Sequence, residues 1–370
     1  MAASVRRVAI NTGGGDAPGL NAVIHGAVYA ARGLGWEIFG IRDGYDGFLE
    51  PQNYPKGGVV ELRRSTVREI SHVGGTILGT TNRGNPFCRP TRQPDGSVKE
   101  VDRSDELIEC FSKYRLDALI AVGGDGSLSI ANKLQKKGLR VIGVPKTIDN
   151  DLAATILTFG FNTAVSFATD CIDRLHNTAL AHQRVIVVEV MGRNAGWIAL
   201  HAGLAARADV VLIPEIPYDI ANVAAHLRRK HREGKPYSIV VVAEGARPVG
   251  GDVTVKSHEL GCAERLGGIG ERVTARLQEL TGKESRCVVL GHLLRGGSPT
   301  AIDRIMGLTF GAAAIDALSK GMDGVMVALN PPRIDFVPIE QAIAELKFVP
   351  VDSEFVLVSR ALDICLGDRQ

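Results

Sequence analysis

The sequence predicts an α/β protein of two doubly wound domains, each a largely parallel sheet covered by helices on both faces. Three observations carry this prediction. Eight short runs rich in β-branched residues recur along the chain: Val8–Ile10, Glu37–Ile41, Ala118–Val122, Arg140–Val144, Arg184–Val190, Asp209–Ile213, Ser238–Ala243 and Arg286–Leu290. Helix-length segments separate them, the pattern of strands buried on both faces. At 370 residues the chain exceeds the size at which one core keeps growing. Segments rich in glycine and charge follow several of the runs directly, as loops do at the carboxyl edge of a parallel sheet, where open α/β sheets bind ligands.

The first run leads into Asn11-Thr12-Gly13-Gly14-Gly15-Asp16-Ala17-Pro18-Gly19-Leu20-Asn21 and then a helical stretch, Ala22–Arg32. Strand, glycine turn and helix N-terminus make an anion site, because unpaired N–H groups and the helix dipole converge there. The string fits neither G-x-x-x-x-G-K-[ST] nor G-x-G-x-x-G; taken alone, a purely structural turn accounts for it equally well. Between Gly79 and Val101 the pattern is least regular. Gly84-Asn85-Pro86 and Gln93-Pro94-Asp95-Gly96-Ser97 supply turn chemistry, the second marking a hairpin tip. Such a loop is either a surface excursion or a cover for a site. Its arginines, Arg83, Arg89 and Arg92, suit an anionic ligand, Arg83 foremost.

Ala118–Val122 runs into Gly123-Gly124-Asp125-Gly126-Ser127. An acid among three glycines exceeds what a simple turn needs: Asp125 can hold Mg²⁺ bridging two phosphates and Ser127 can donate to one of them. The next run ends in Pro145-Lys146-Thr147-Ile148-Asp149-Asn150-Asp151. One carboxylate against a substrate hydroxyl would act as a base, with the second tied into the backbone or a metal shell. An Asx-turn explains one such residue better than the whole string. Further on, Glu189–Trp197, Val242–Gly245 and Gly291–Pro299 each follow a strand and present glycine with Arg, His or Glu. Arg for a phosphate and Glu or His for hydroxyls is how a phosphorylated sugar would be gripped. Together the loops read as a phosphoryl-transfer site.

Composition narrows the class. The apolar fraction of 45% and charged fraction of 23% are ordinary for globular proteins. A net charge of +2 offers no whole-chain attraction to nucleic acid, and Arg228-Arg229-Lys230-His231-Arg232 reads as a solvated helix face. Six cysteines, Cys88, Cys110, Cys171, Cys262, Cys287 and Cys365, lack zinc-like spacing and are expected reduced and mostly buried. No apolar stretch is long enough to span a bilayer, and the chain enters a strand at once, so neither a membrane anchor nor a cleaved signal is expected. The expected compartment is the cytoplasm.

The motifs together resemble the 6-phosphofructokinase family, whose members transfer phosphate to the 1-hydroxyl of fructose 6-phosphate. The likeness runs from about Val8 to about Gly311 and adds Asp43-Gly44-Tyr45 and Phe161-Asn162-Thr163-Ala164 to the segments above. The resemblance implies Asp149 as general base, Asp125 as the Mg²⁺-associated residue, and Arg193 and Thr147 as positioning and charge-stabilising groups. Gly13, Tyr45, Arg83, Gly124, Asp125, Gly126 and Ser127 would surround the donor, ATP. Met191, Gly192, Glu244, His292 and Arg295 would hold fructose 6-phosphate, with Arg184 and Arg286 arriving from a neighbouring subunit. It further implies homo-oligomers, commonly tetramers, with active sites completed across an interface. Residues 1–160 with 294–345 would form the donor-binding domain, and 161–293 with 346–370 the sugar-phosphate-binding domain.

Two departures bear on function. Lys146 stands where the best-known bacterial ATP users carry glycine, and in this it resembles the pyrophosphate-using branch. Gly126, by contrast, stands where pyrophosphate users typically carry an aspartate that would repel an α-phosphate, so a nucleotide donor is expected and pyrophosphate is the alternative. His25 and Tyr29 occupy the positions of effector-binding arginines in allosteric members, so the usual effectors are not implied. NAD and lipid kinases resemble the chain only in the Gly-Gly-Asp-Gly element. A non-catalytic sugar-phosphate-binding subunit would have no need of Asp125, Asp149 and Arg193.

Overall fold

A computed structural model describes residues 5–92, 96–257 and 265–368. Its strands, in chain order, are β1 (Arg7–Thr12), β2 (Glu37–Ile41), β3 (Val59–Leu62), β4 (Arg89–Arg92), β5 (Val98–Val101), β6 (Ala118–Gly123), β7 (Val141–Pro145), β8 (Val185–Val190), β9 (Val210–Leu212), β10 (Ser238–Ala243), β11 (Val255–Ser257), β12 (Arg265–Leu266), β13 (Ser285–Val289), β14 (Val325–Asn330) and β15 (Arg333–Pro338). Seven of them form one sheet in the order β15-β14-β7-β6-β1-β2-β3, and four form a second, β13-β8-β10-β9. The smaller sheet is parallel throughout. The larger is parallel at its centre and closed at both edges by antiparallel strands, β3 on β2 and β15 on β14.

Alternation along the strands explains the layering, since successive side chains point to opposite faces. Val8 and Ile10 of β1 pack under the helices Leu20–Gly33 and Ala301–Ser319, through Val23, Ala27, Phe310 and Ala314. Ala9 between them, with Leu119 and Val141, faces the helices Ser104–Lys113 and Asp125–Lys136 through Leu107, Phe111, Leu128 and Leu134. The smaller sheet repeats the arrangement. Ile186 and Val188 face helices Phe161–His182 and Trp197–Ala205, whereas Val185 and Val187 face helices Ile220–Arg232 and Ile269–Thr281. Each sheet is thus buried on both sides, as the continuous apolar runs imply.

All eight runs are strands, within a residue or two at their ends. The hairpin between Gly79 and Val101 is β4 paired antiparallel with β5; Gln93, Pro94 and Asp95 at its tip lie outside the described residues. Several expectations need correcting. Among the five described cysteines only Cys365 is buried, and none is in a disulfide; Cys262 lies outside the described residues. The basic run is not simply a solvated face: Arg228 and Arg232 are exposed, but Arg229 and Lys230 each pair with Asp363 at 2.6 Å. No helix among the described residues is long and apolar enough to cross a membrane.

Candidate active site

The parallel register sets where the chemistry lies. Thr12 pairs with Val122 and Gly123 with Pro145, so the loops after β1, β6 and β7 leave one edge of the larger sheet side by side. Val190 and Ala243 end level in the smaller sheet. These loops, with the turn Gly291–Arg295 after β13, line one cleft of about 990 Å³.

On the larger sheet's side of the cleft, side chains crowd two of the glycines after β1, and the third, Gly14, has φ of 76°. A Cβ at Gly13 would stand 2.8 Å from Ser127 Oγ, and one at Gly15 would stand 2.8 Å from an Arg295 guanidinium nitrogen. The loop is pinned from the other side by Thr80, whose hydroxyl donates to the Gly14 carbonyl at 2.6 Å, and by the Thr81 carbonyl, which accepts the Gly14 N–H at 3.1 Å. Gly124 caps the helix Asp125–Lys136, so Asp125, Gly126 and Ser127 form its first turn, where N–H groups lack carbonyl partners in the helix. Asp125 and Gly126 are exposed in the cleft. A Cβ at Gly126 would meet nothing within 4 Å. Glycine is costly in a helix, and neither crowding nor a positive φ requires it there. Tyr45 and Arg83 also line the cleft; burial raises the Tyr45 pKa well above its ordinary value, outweighing the hydrogen bond with Asn11. Arg89 does not reach an anion site, because Asp46 holds it at 2.7 Å and Glu50 at 3.4 Å.

The loop after β7 is built differently. Lys146 is 4% exposed and its ammonium donates to the Gly15 carbonyl. Burial pulls its pKa down to about 8, the Arg295 charge acting in the same direction and Asp16, Asp149 and Asp151 opposing. The Thr147 hydroxyl accepts the Asp149 N–H at 3.1 Å. Asp149 keeps part of its surface in the cleft, but its Oδ1 has neither solvent nor a hydrogen-bond partner. Desolvation, then the Asp151 charge, push the Asp149 pKa up, with Arg295 and Lys146 pulling the other way. Asp151 is raised too, chiefly by burial and next by Asp125. Two carboxyls that share such a site do not both ionise freely, which is how a base is poised toward neutral pH.

Across the cleft, Gly192 has φ of 139° and its carbonyl accepts the Gly245 N–H at 3.1 Å. A Cβ at Gly245 would fall 2.0 Å from the Arg193 carbonyl oxygen. This contact draws Arg193 and Glu244 together at the cleft wall, beside Met191, His292 and Arg295. Burial raises the Glu244 pKa and Glu189 adds to it, while Arg295 and Arg193 offset them. Gly192 itself acts through its backbone and does not line the cleft.

Arg184 and Arg286 do not line the cleft either. They sit at the amino ends of β8 and β13, the opposite edge of the smaller sheet, where Glu284 holds both, Arg184 at 2.7 Å. Phe161-Asn162-Thr163-Ala164 is structural. The Thr163 N–H and hydroxyl donate to buried Asp303 at 2.7 and 2.6 Å, and Asn162 accepts from Thr300 at 2.8 Å, fastening two helix starts together.

Sequence reasoning missed Asn11, Thr81, Asn82, Asn85, Lys133 and Asn194, all of which line the cleft. Lys133 was findable: Gly126, Ser129, Ile130 and Lys133 follow helical spacing along one face. The Thr81–Asn85 stretch carries no periodicity to read.

A glycine-bordered helix start and a glycine loop, facing a pair of largely buried carboxylates and a wall of Arg, His and Glu, fit a phosphotransferase. Residues 7–318 match the phosphofructokinase family pattern, and the chain belongs to that family. It is 50% identical, over all of both chains, to an ATP-dependent 6-phosphofructokinase of Chloroflexus aurantiacus. It is also 48% identical, over 93% of this chain and 96% of the relative, to a pyrophosphate–fructose 6-phosphate 1-phosphotransferase of Amycolatopsis methanolica. Among solved structures, Pichia pastoris phosphofructokinase in the T-state superposes with a TM-score of 0.76 at 28% identity, covering 97% of this chain and 36% of that longer one.

Proposed function

We propose that this chain is an ATP-dependent 6-phosphofructokinase of glycolysis, acting in the cytoplasm and passing the γ-phosphoryl group of ATP to the 1-hydroxyl of fructose 6-phosphate. The observation that carries the reading is the pairing, in one cleft, of open space at Gly126 with the buried carboxyl of Asp149. Asp149 takes the 1-hydroxyl proton as the new P–O bond forms; Thr147 fixes the turn that presents it. Arg193 balances charge on the transferring group, and positioning does most of the remaining work. Gly13, Tyr45, Arg83, Gly124, Asp125, Gly126 and Ser127 hold the donor, while Met191, Gly192, Glu244, His292 and Arg295 shape the sugar-phosphate wall.

Mg²⁺ fits this donor set. No group of three or more His, Cys, Asp or Glu side chains among the described residues could cage an ion, and Mg²⁺ in such sites relies on one or two carboxylates with substrate phosphates supplying the rest. Asp125 would be that carboxylate, and the ion, when bound, would neutralise phosphate charge.

Donor-binding residues 1–160 with 294–345 and sugar-phosphate-binding residues 161–293 with 346–370 form the two domains. Val349, Val356, Ile364 and Leu366 support the division by joining the core of the smaller sheet. Arg184 and Arg286, remote from their own cleft, would serve a neighbour's site in a homo-oligomer, a tetramer by family habit. Dilution with mass and rate followed together tests this: a fully active monomer would sink it.

Pyrophosphate is the second reading, favoured by Lys146 beneath the glycine loop and by the Amycolatopsis relative. Initial rates with fructose 6-phosphate and ATP, ADP or pyrophosphate in parallel separate the two. Turnover with pyrophosphate and none with ATP would overturn the nucleotide reading.

A further inference from the structure

Behind the Asp149–Asp151 loop, on the side away from the cleft, a segment near the C-terminus crosses from one sheet's territory to the other's. Lys347 is its centre. The Lys347 ammonium donates to Asn150 Oδ1 at 3.1 Å, to the Thr155 carbonyl at 3.0 Å and to the Ile156 carbonyl at 2.9 Å. All three of its donors are therefore used. Its backbone N–H donates to the Asp151 carbonyl at 2.8 Å, and its own carbonyl accepts the Trp197 indole N–H at 2.8 Å. Two residues on, the Val349 N–H donates to Glu215 at 2.8 Å, and Glu215 also accepts the N–H of Gly196. Gly196 and Trp197 begin the helix that follows the Arg193 loop.

The loop being held is a strained one. Asn150 has φ of 53° and Ala154 φ of 62°, in the left-handed region that side chains disfavour. Asn150 Oδ1 is the hub that offsets this, accepting from the Thr158 N–H at 3.1 Å as well as from Lys347. Lys347 stands outside the cleft lining. Burial lowers its pKa to about 8, with the Asp151 carboxylate opposing.

We infer that Lys347 is a positioning residue for phosphoryl transfer: it holds the Asp149–Asp151 turn in its left-handed form and fastens that turn to the helix behind Arg193. The base and the charge-balancing arginine are thereby kept in register across the cleft. This rests on the phosphofructokinase reading above, and it adds a residue beyond the 7–318 family match.

The test uses the full chain. Lys347→Met keeps the stem and removes the three donors. kcat should fall by about tenfold or more, because small misplacement of reacting groups is costly, while KM for ATP and fructose 6-phosphate should stay within about threefold. Lys347→Ala leaves room for an added amine, and propylammonium chloride should restore at least about a third of the lost kcat. If Lys347→Met does not fold by circular dichroism, the amine response of Lys347→Ala decides alone. A Met variant with unchanged kcat, or an Ala variant whose loss ignores the amine, overturns the inference. A wild-type protein that transfers no phosphate to fructose 6-phosphate would instead sink the parent reading.

Discussion

The loops after β6 and β7 leave paired strands side by side, yet they are built to opposite ends. Residues 145–151 are largely buried and fastened from three directions, by Thr147 within the turn and by Thr158 and Lys347 from outside it. Residues 125–126 begin a helix, stand exposed and face empty space. The difference matches what the roles proposed above would ask of each loop. A proton acceptor works when its surroundings are fixed beforehand and dry enough to shift its pKa. A triphosphate with its metal brings its own charge and ligands, so the protein contributes room, free N–H groups and one carboxylate.

The hardest blow to the buried loop is Asp149→Asn, which keeps the shape and removes proton acceptance. kcat should drop by about 10²–10⁴-fold with little change in fructose 6-phosphate affinity. Near-normal kcat would take Asp149 out of the role of base. The wild-type pH profile makes the same point. In the role proposed for it Asp149 acts deprotonated, and its pKa is raised by burial and by Asp151. Activity should therefore climb with pH along an acid limb displaced above the ordinary aspartate value of about 3.9, and the limb should vanish in Asp149→Asn. An acid limb at an unshifted aspartate value would contradict the poised pair.

Within the glycine motif the same comparison can be drawn one residue at a time. A Cβ at Gly123 would stand 2.2 Å from the Ser127 Cβ, whereas Gly126 is open. Gly123→Ala should cost about 1–3 kcal/mol of stability, as overpacking does, and lower the midpoint of a urea titration. An unchanged midpoint would show that the crowding relaxes freely.

These contrasts mark how far the sequence could be read. The central strands were legible because both-face burial writes continuous β-branched runs, and the donor and acid loops because glycine and carboxylate cluster right after them. The edge strand β3 was not, being only four residues with a glutamate at its third position, nor was β14, whose Met326 and Ala328 blur the β-branched signal. Arg83 and Arg89 look alike in the chain; only the fold hands Arg89 to Asp46 and leaves Arg83 at the cleft. Lys347 was invisible for a related reason. It sits 197 residues from Asn150, and no local pattern announces a contact of that range.

Turning to the open loop, Gly126→Asp places a charge where the fold has space and a nucleotide's α-phosphate would have none to spare. Because no protein atom is displaced, stability should move by less than about 0.5 kcal/mol. ATP-dependent kcat/KM should fall at least about tenfold, roughly 1.4 kcal/mol of transition-state binding. Equal use of ATP by the variant would dissolve the donor-side half of the comparison.

The smallest effect concerns stability alone, and it separates ligand space from structural need. Gly126 lies in the first turn of a helix with an ordinary φ and no neighbour to its Cβ position, so alanine there loses nothing in the folded state. It does restrict the unfolded chain. Gly126→Ala should therefore raise stability by about 0.4–1 kcal/mol, opposite in sign to Gly123→Ala in the same motif. Thermal and urea midpoints measured without ligand check the sign. A destabilised Gly126→Ala would mean that the fold itself requires this glycine, and the vacancy beside Asp125 would lose its claim to be kept for a nucleotide.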